Sequence, residues 1–335
     1  MSRLRHVIIG HGPAGVAAAR SIRKRNSEDE ILVISEEPCL AYSRILLPDY
    51  IAGRVSLDKL WLYPQSYYDE ARIQLRLRTK IISVLPGEHS ITAENGEKIF
   101  FDRLMIACGG LPILPEIDGI TDTPAVTLKT ISDAQNIIAR VRRGSSVLIL
   151  ARDLVGIEMT RAFCLMGLRV TYIEWGDELL PHIIDPATAE ELADRMKAAG
   201  VQIVVGERIH KVEKADSAIV VHTTGKTLRG DTLAVAIGKT PRLDWLEPSG
   251  VMTNTGIIVD ERLRTNHPNI FAAGDAAEIY DPAVKKRRLL FGWKNATEQG
   301  QLAGANMAGD TQEFVVTYAP GLKQIFGVDI RHRWK

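Results

Sequence analysis

The chain has little of what would tie it to a covalent or metal-based framework. Its 335 residues include three cysteines, Cys39, Cys108 and Cys164. None is spaced C-x-x-C, which excludes a disulfide framework, a zinc ribbon and a thioredoxin-type dithiol, and no metal ligands are assigned. Charge of one sign is also missing. Lys plus Arg number 42 against 41 Asp plus Glu, a net charge of +1, so no basic field exists for a general nucleic-acid binder. No apolar run reaches about 18 residues, so no segment reads as a membrane-spanning helix. Met1-Ser2-Arg3-Leu4-Arg5-His6 leads straight into Val7-Ile8-Ile9. With neither an h-region nor a cleavage site there, a cytoplasmic location is expected. Low-complexity segments are absent. The length suits roughly two domains of about 150 residues with large apolar cores.

What is present is a twice-repeated unit. Val7-Ile8-Ile9 is a short β-branched run suited to a strand buried on both faces. Gly10-His11-Gly12-Pro13-Ala14-Gly15 follows, then the alanine-rich Val16-Ala17-Ala18-Ala19, whose slim face can pack close to a sheet. Ile31-Leu32-Val33-Ile34 is the next strand, ending at Ser35-Glu36. The same strand–turn–helix–strand–acid pattern recurs at 147–150, 154–168 and 170–173, ending at Glu174. After the first unit, alternation near 74–84, 90–93 and 98–101 predicts antiparallel strands, and 104–107 another buried strand. Strands are also expected at 201–205, 219–222, 232–237, 257–259 and 269–274, and a helix at 299–307.

Gly10, Gly12 and Gly15 form G-x-G-x-x-G between a strand and a helix. The first glycine makes a tight turn, the second lets backbone approach a pyrophosphate, and the third lets helix and strand pack closely. The helix start then offers amides and partial positive charge to the phosphates. Glu36 follows Gly15 by 21 positions, where a carboxylate can accept hydrogen bonds from a ribose diol. With strand, helix and acid in register, this reads as a dinucleotide site, the alternative being an ordinary glycine turn of an α/β protein.

Several motifs together resemble the pyridine nucleotide-disulfide oxidoreductase family. The first turn, including Pro13 and Ala14, looks like its FAD-binding turn. Ala107-Cys108-Gly109-Gly110-Leu111-Pro112 resembles its A-T-G-x-x-P link, and the stretch from Thr265 to Asp275 its second flavin motif. That resemblance implies that Asp275 bonds the ribityl chain. The segment from Trp293 through Glu298 to Gly300 is similar to the W-x-x-A-x-x-Q-G segment beside the isoalloxazine. Within the family the likeness is to the NADH-dependent nitrite reductase and rubredoxin or ferredoxin reductase branch. There Glu37 to Leu47 resembles P-x-x-x-Y-x-R-P-x-L, with Ile45 where proline is usual. Arg44 would then sit near the flavin pyrophosphate, which a guanidinium fork suits; the alternative is a solvent-facing loop arginine.

The second repeat departs from the family. Where G-G-G-x-x-G-x-E-x-A is expected, the chain reads Ala151-Arg152-Asp153-Leu154-Val155-Gly156-Ile157-Glu158-Met159-Thr160. Gly156 and Glu158 survive, and the resemblance places that acid near the nicotinamide. Glu174 keeps the ribose position and disfavours a 2′-phosphate, so the cofactor should be NADH. Asp153 puts a side chain and a negative charge where backbone should meet pyrophosphate; like charges at about 4 Å repel by about 1 kcal/mol in water and more when buried. Arg152 is placed to compensate, by pairing with Asp153 or by reaching a phosphate. Two readings stay open: a working NADH site, or a domain that keeps the fold and has lost the ligand.

The remaining features are weighed in the same way. Cys39 follows Glu36 by three positions, too early for the family's flavin-coupled thiol, so disulfide reduction is excluded. Cys108 and Cys164 read as buried packing residues. Lys285-Lys286-Arg287-Arg288 reads as a basic loop, either a docking patch for an acidic redox protein or a solvated turn. Trp293 is placed at the flavin edge or in the core. The piece from Ile325 to Asp329 resembles the start of the family's interface domain, so one flavin face is expected to be uncovered or covered by another polypeptide. Arg331-His332-Arg333-Trp334-Lys335 resembles nothing placed.

The expected fold is therefore α/β: two Rossmann-like three-layer dinucleotide-binding domains, one inserted in the other. The FAD-binding domain spans 1–112 and 241–316, an NAD-binding domain spans 113–240, and 317–335 is a truncated remnant of the interface domain. The resemblance implies an FAD-dependent oxidoreductase in which NADH delivers hydride to the flavin, which passes electrons to rubredoxin, ferredoxin or a nitrite reductase partner. Glu158 and Trp293 would shape the nicotinamide pocket. The second reading is an FAD-carrying electron-transfer subunit with a silent nucleotide domain.

Overall fold

The computed structural model describes residues 3–181, 183–317 and 322–331. The C-terminal pentapeptide lies outside them except for the backbone of Arg331. Two compact units emerge. One comprises Met1–Tyr42, Trp61–Leu111 and Thr240–Val316; the other comprises Ser43–Leu60, Pro112–Lys239 and Thr317–Lys335. Residues 43–60, written above within the first domain, and the tail from 317 thus cluster with the second unit. Among the described residues no helix is long and apolar enough to cross a membrane.

The first unit is built on a five-stranded sheet in the order Ile270–Ala272, Arg103–Ile106, Arg5–Ile9, Glu30–Ile34, Ile73–Arg76. Every pairing in it is parallel. The apolar runs are there because both faces are covered: Val7, Ile8, Leu104 and Met105 have no exposed surface. The segment near 74 was expected to be antiparallel. Instead Ile73–Arg76 forms the parallel edge of this sheet, and the antiparallel meander starts only at Ile81–Leu85, continuing through Ser90–Ala93 and Lys98–Phe100. Alternating exposure is shared by an edge strand and a meander strand, so periodicity did not separate them.

The helix Pro13–Arg25 packs along the helix Trp293–Met307. Contact this close needs residues without side chains. A Cβ at Gly300 would lie 2.1 Å from the Ala14 carbonyl oxygen, and one at Gly304 would lie 2.5 Å from that of Ala18. The later helix starts at Trp293, six positions before the expected 299, directly after Gly292, whose φ is 117°.

The basic run is not a loop. Lys286–Leu289 is a strand paired antiparallel with Ala277–Asp281. Arg287 Nη1 donates to the carbonyls of Val259 (2.9 Å) and Glu278 (3.2 Å). Arg288 reaches the fully buried Asp281 at 3.4 Å. Both arginines thus bond the fold; Arg288 is half-buried, while Arg287 stays exposed beside Lys285 and Lys286.

The second unit holds a four-stranded parallel sheet in the order Gln202–Val205, Arg169–Glu174, Ser146–Ala151, Thr232–Ala236. A three-stranded antiparallel sheet of Ile209–Ala215, Ala218–Thr223 and Thr227–Gly230 accompanies it. The helix after the turn runs Leu154–Leu165, shorter than expected because Gly167, with φ 76°, ends it. Two helices escaped the sequence reading. Ile131–Arg140 opens with a capping box between Thr130 and Asp133, and Pro186–Ala198 opens with Asp185 as cap and proline at its first position. The hairpin Leu322–Ile325 with Val328–Arg331 belongs to this unit and buries Ile325, Val328 and Ile330.

Replacing Gly300 with alanine should cost about 1–3 kcal/mol through overpacking against the first helix. Gly87→Ala, where nothing lies within 4 Å, should be near neutral. Urea unfolding of the two variants reads the difference, and equal midpoints would contradict the packing argument.

Candidate functional site

Four loops leave the carboxyl ends of the parallel strands in the first unit, the edge at which open α/β sheets bind ligands. They carry Gly10–Gly15, Ser35–Glu37, Ala107–Gly109 and Ala273–Asp275. Each glycine of the first turn has a separate steric reason. Gly10 has φ 112°, and a Cβ there would lie 2.1 Å from the Ala107 carbonyl oxygen, so two loops meet at its Cα. Gly15 would strike the Gly10 carbonyl oxygen at 1.9 Å. Around Gly12 nothing lies within 4 Å. Gly12 is also the N-cap residue of Pro13–Arg25, and no side chain caps that helix. An open cradle above a bare helix N-terminus fits a pyrophosphate.

His11, passed over in the sequence, anchors this turn. It is buried, its Nε2 lies 3.0 Å from the Tyr68 hydroxyl, and burial lowers its pKa to about 4. Gln299 was missed as well. Its Oε1 accepts from the Gly274 amide at 2.7 Å, fixing the loop before Asp275, while its buried Nε2 has no protein partner. A donor orphaned inside the fold is a second feature that fits a bound group rich in acceptors. Gln299 stands in the W-x-x-A-x-x-Q-G segment, so the signal was present. Glu298 beside it is the more exposed residue and lies 3.8 Å from Lys294.

The other expected residues of this unit fall as follows. Glu36 is exposed just past its strand, while neighbouring Glu37 accepts from the Tyr42 hydroxyl at 2.6 Å. Asp275 Oδ1 accepts from the Gly292 amide at 3.3 Å. Trp293 is half-buried at the first position of its helix. Cys108 is half-buried rather than fully buried, next to Gly109 with φ 68°.

The second unit has the same strand–turn–helix form with different chemistry. Asp153 is the N-cap of Leu154–Leu165, and its Oδ1 accepts from the Gly156 amide at 3.0 Å. A cap of this kind contributes about 1 kcal/mol to the helix. Burial raises the Asp153 carboxyl to about 6, against the opposing pull of Lys239 and the Gly156 amide. Gly156 is required because a Cβ there would lie 2.2 Å from the Ala151 Cβ. Arg152 does not pair with Asp153. Its Nε lies 3.0 Å from Glu174 Oε1 and its guanidinium stacks over Trp175 at 5.4 Å. Glu174 is fully buried, which raises its pKa, and its Oε2 has no protein partner.

Glu158 is buried on the same helix and forms an ion pair with Lys323 from the C-terminal hairpin. Burial lowers the Lys323 pKa, and Asp49 opposes that shift. Asp49 itself pairs with Arg161 at 2.7 Å. Arg44 lies in this unit, where its Nη1 donates to the Lys129 carbonyl at 2.7 Å. Cys164, expected in the core, is half-buried and lines an open cavity of about 480 Å³ with Arg54, Arg161 and Phe326. Among the described residues no cluster of His, Cys, Asp or Glu could hold a metal ion.

Residues 4–300 match the sequence profile of the family described as pyridine nucleotide-disulphide oxidoreductase. The ferredoxin–NAD(+) reductase component of a 3-phenylpropionate/cinnamic acid dioxygenase from Photorhabdus laumondii is 30% identical over 306 residues, covering 90% of this chain and 77% of that protein. A rubredoxin–NAD(+) reductase from Pseudomonas putida is 26% identical, covering 90% of this chain and 80% of its own. In three dimensions the chain matches the reductase in a covalent putidaredoxin reductase–putidaredoxin complex with a TM-score of 0.91 at 21% identity, covering 99% of this chain and 81% of that one.

Gly12→Ala separates cradle from scaffold. No protein atom lies near its Cβ position and its φ is −84°, so folding should be unaffected. The methyl group should instead stand where a pyrophosphate approaches, and bound flavin should fall at least about tenfold in affinity. Flavin content after dialysis, beside the melting temperature, checks this; full flavin retention would contradict it.

Proposed function

The chain belongs to the pyridine nucleotide-disulphide oxidoreductase family, and from that premise we propose an FAD-dependent oxidoreductase that passes electrons from NADH through the flavin to a redox protein of the rubredoxin, ferredoxin or nitrite reductase type. The observation that carries this reading is the open, uncapped turn at Gly12 set against the orphaned Gln299 amide in the same unit. FAD, when bound, supplies a hydride acceptor that can release electrons singly.

The chain's own residues have the remaining tasks. Gly10, Gly12, Pro13, Ala14 and Gly15 bind the flavin nucleotide's diphosphate through main chain, and Glu36 accepts from its ribose. Asp275 accepts from the ribityl chain, and the Ala107-Cys108-Gly109 loop and Glu298 line the same ligand. Arg44 offers a guanidinium to phosphate. In the second unit Gly156 and Glu174 form the NADH site, with Glu158 beside the nicotinamide; Trp293, in the first unit, keeps the nicotinamide role that the family resemblance implies. Location in the cytoplasm is part of the same proposal, and so are the domain limits 1–112 with 241–316 for the flavin nucleotide and 113–240 for NADH.

One specific observation favours a second reading. Asp153 caps its own helix and Arg152 is closed onto Glu174, as would suit an FAD-carrying subunit whose nucleotide domain is silent. Anaerobic titration separates the two. Bleaching of the flavin band near about 450 nm by stoichiometric NADH is expected. A colour that persists until dithionite is added would establish the carrier instead.

Docking of the electron acceptor is proposed at Lys285 and Lys286, the exposed members of the basic run that make no bond to the fold comparable to those of Arg287 and Arg288. Reversing both charges should raise KM for an acidic acceptor several-fold at low ionic strength and little at high salt, because such steering is screened. Flavin reduction by NADH should keep its rate. Steady-state assays at two salt concentrations check this, and an unchanged KM at low salt would remove these lysines from the interface.

A further inference from the structure

The two helix starts of this chain differ in one respect that bears on how the second takes its nucleotide. Pro13–Arg25 begins at Gly12 with no side-chain cap and open space above it. Leu154–Leu165 begins at Asp153, whose carboxylate already holds the Gly156 amide. An anion at a helix N-terminus is stabilised by the same amides and the same dipole whether it is carboxylate or phosphate. The acid that ends the second strand is also engaged, since Glu174 bonds Arg152 at 3.0 Å and the Gly176 amide at 3.3 Å. The phosphate position is therefore filled by the chain's own carboxylate, and at the ribose position Glu174 Oε1 is engaged while its buried Oε2 has no protein partner.

We propose that Asp153 is an internal surrogate for the dinucleotide's diphosphate, so that NADH enters the second unit by displacing this carboxylate from the helix start while Arg152 leaves Glu174 for the incoming phosphates. The proposal rests on the NADH reading above and adds a regulated step to it. Displacement exchanges one anion for another at the same amides, so what survives in binding is the difference between them. Arg152 has the reach for this role, with its side chain about one-third exposed and held by one carboxylate and one indole face. Glu174 Oε2 is already without a protein partner, and release of the guanidinium adds Oε1 for the ribose diol.

A pH dependence follows from the same geometry. The charged and titratable groups facing Asp153 are Lys239, three positions past the strand Thr232–Ala236, and Tyr172 on the neighbouring strand, with the amides of Val155, Gly156 and Gly238. Burial holds the Tyr172 hydroxyl neutral, and it donates to the Ala151 carbonyl at 3.3 Å. Of these, Asp153 is the group that changes charge near neutrality, with its carboxyl pushed up to about 6. Below that value the surrogate is uncharged and no longer competes. The diphosphate's like charge beside the displaced carboxyl raises its pKa further, so above that value binding takes up a proton and affinity falls as pH rises.

Calorimetric titration of the FAD-loaded protein with NAD+ tests this without any turnover. In wild type the dissociation constant should rise by up to about tenfold per pH unit between about pH 6.5 and about pH 8.5. Asp153→Asn, which keeps a neutral cap, should bind more tightly than wild type at the upper end and show a flat profile. Asp153→Gly should do the same, or bind tightly where wild type shows no binding. A wild-type profile flat across that range, with neither variant tighter, overturns the surrogate. Stopped-flow reduction by NADH then keeps the two claims apart. A wild-type flavin that NADH bleaches, with NAD+ affinity unchanged by pH or by either variant, sinks the surrogate alone. A flavin that NADH leaves oxidised in wild type and in both variants sinks the NADH reading itself.

Discussion

A helix whose first amides have no side chain to bond is an unmet electrostatic demand, and the first unit is arranged around one. Pro13 supplies no amide and Gly12 no cap. The glycines at 10 and 15 draw the turn tight against the loop at Ala107 and against its own backbone. The helix is then pressed onto Trp293–Met307 at positions where a single methyl group would collide with main chain. These constraints leave main chain open at Gly12, at the carboxyl edge of a parallel sheet, where the helix dipole favours an anion.

The second unit shows what the same architecture does when that demand is met internally. Its sheet order and its strand–turn–helix succession repeat those of a nucleotide-binding unit. Yet the cap is an aspartate, and the acid expected at the ribose position is buried and paired with an arginine. The fold survives this exchange because the close contact at Gly156 with Ala151 is kept. Steric constraints define the scaffold, and the occupant of the helix N-terminus decides what the scaffold binds. Family membership fixes the first and leaves the second to individual residues.

Much of this was legible before any coordinates. The β-branched runs, the G-x-G-x-x-G turn and the acids ending the second strands are local patterns with local causes. Elements defined by long-range partners were less readable. Ile73–Arg76 alternates like a meander strand, yet it pairs parallel with Glu30–Ile34. Lys286–Leu289 reads as a charged loop until Ala277–Asp281 is placed beside it. Two helices had clear starting signals, Thr130 with Asp133 and Asp185 with Pro186, and were overlooked because their apolar faces are short. His11 and Gln299 sat inside recognised motifs, but their roles depend on Tyr68 and Gly274, far away along the chain.

By itself the sequence determined the repeated α/β plan, the position of both turns and the absence of side chains at Gly10, Gly12 and Gly15, because these depend on backbone sterics and on neighbours a few residues apart. Only the tertiary structure decided which charges are committed. Arg152 turned to Glu174 and not to Asp153, Glu158 found Lys323 from the C-terminal hairpin, and two of four clustered cations were taken up by carbonyls and a buried carboxylate. An ion pair is chosen by distance and desolvation in three dimensions, and neither quantity is written in the spacing of residues along a chain.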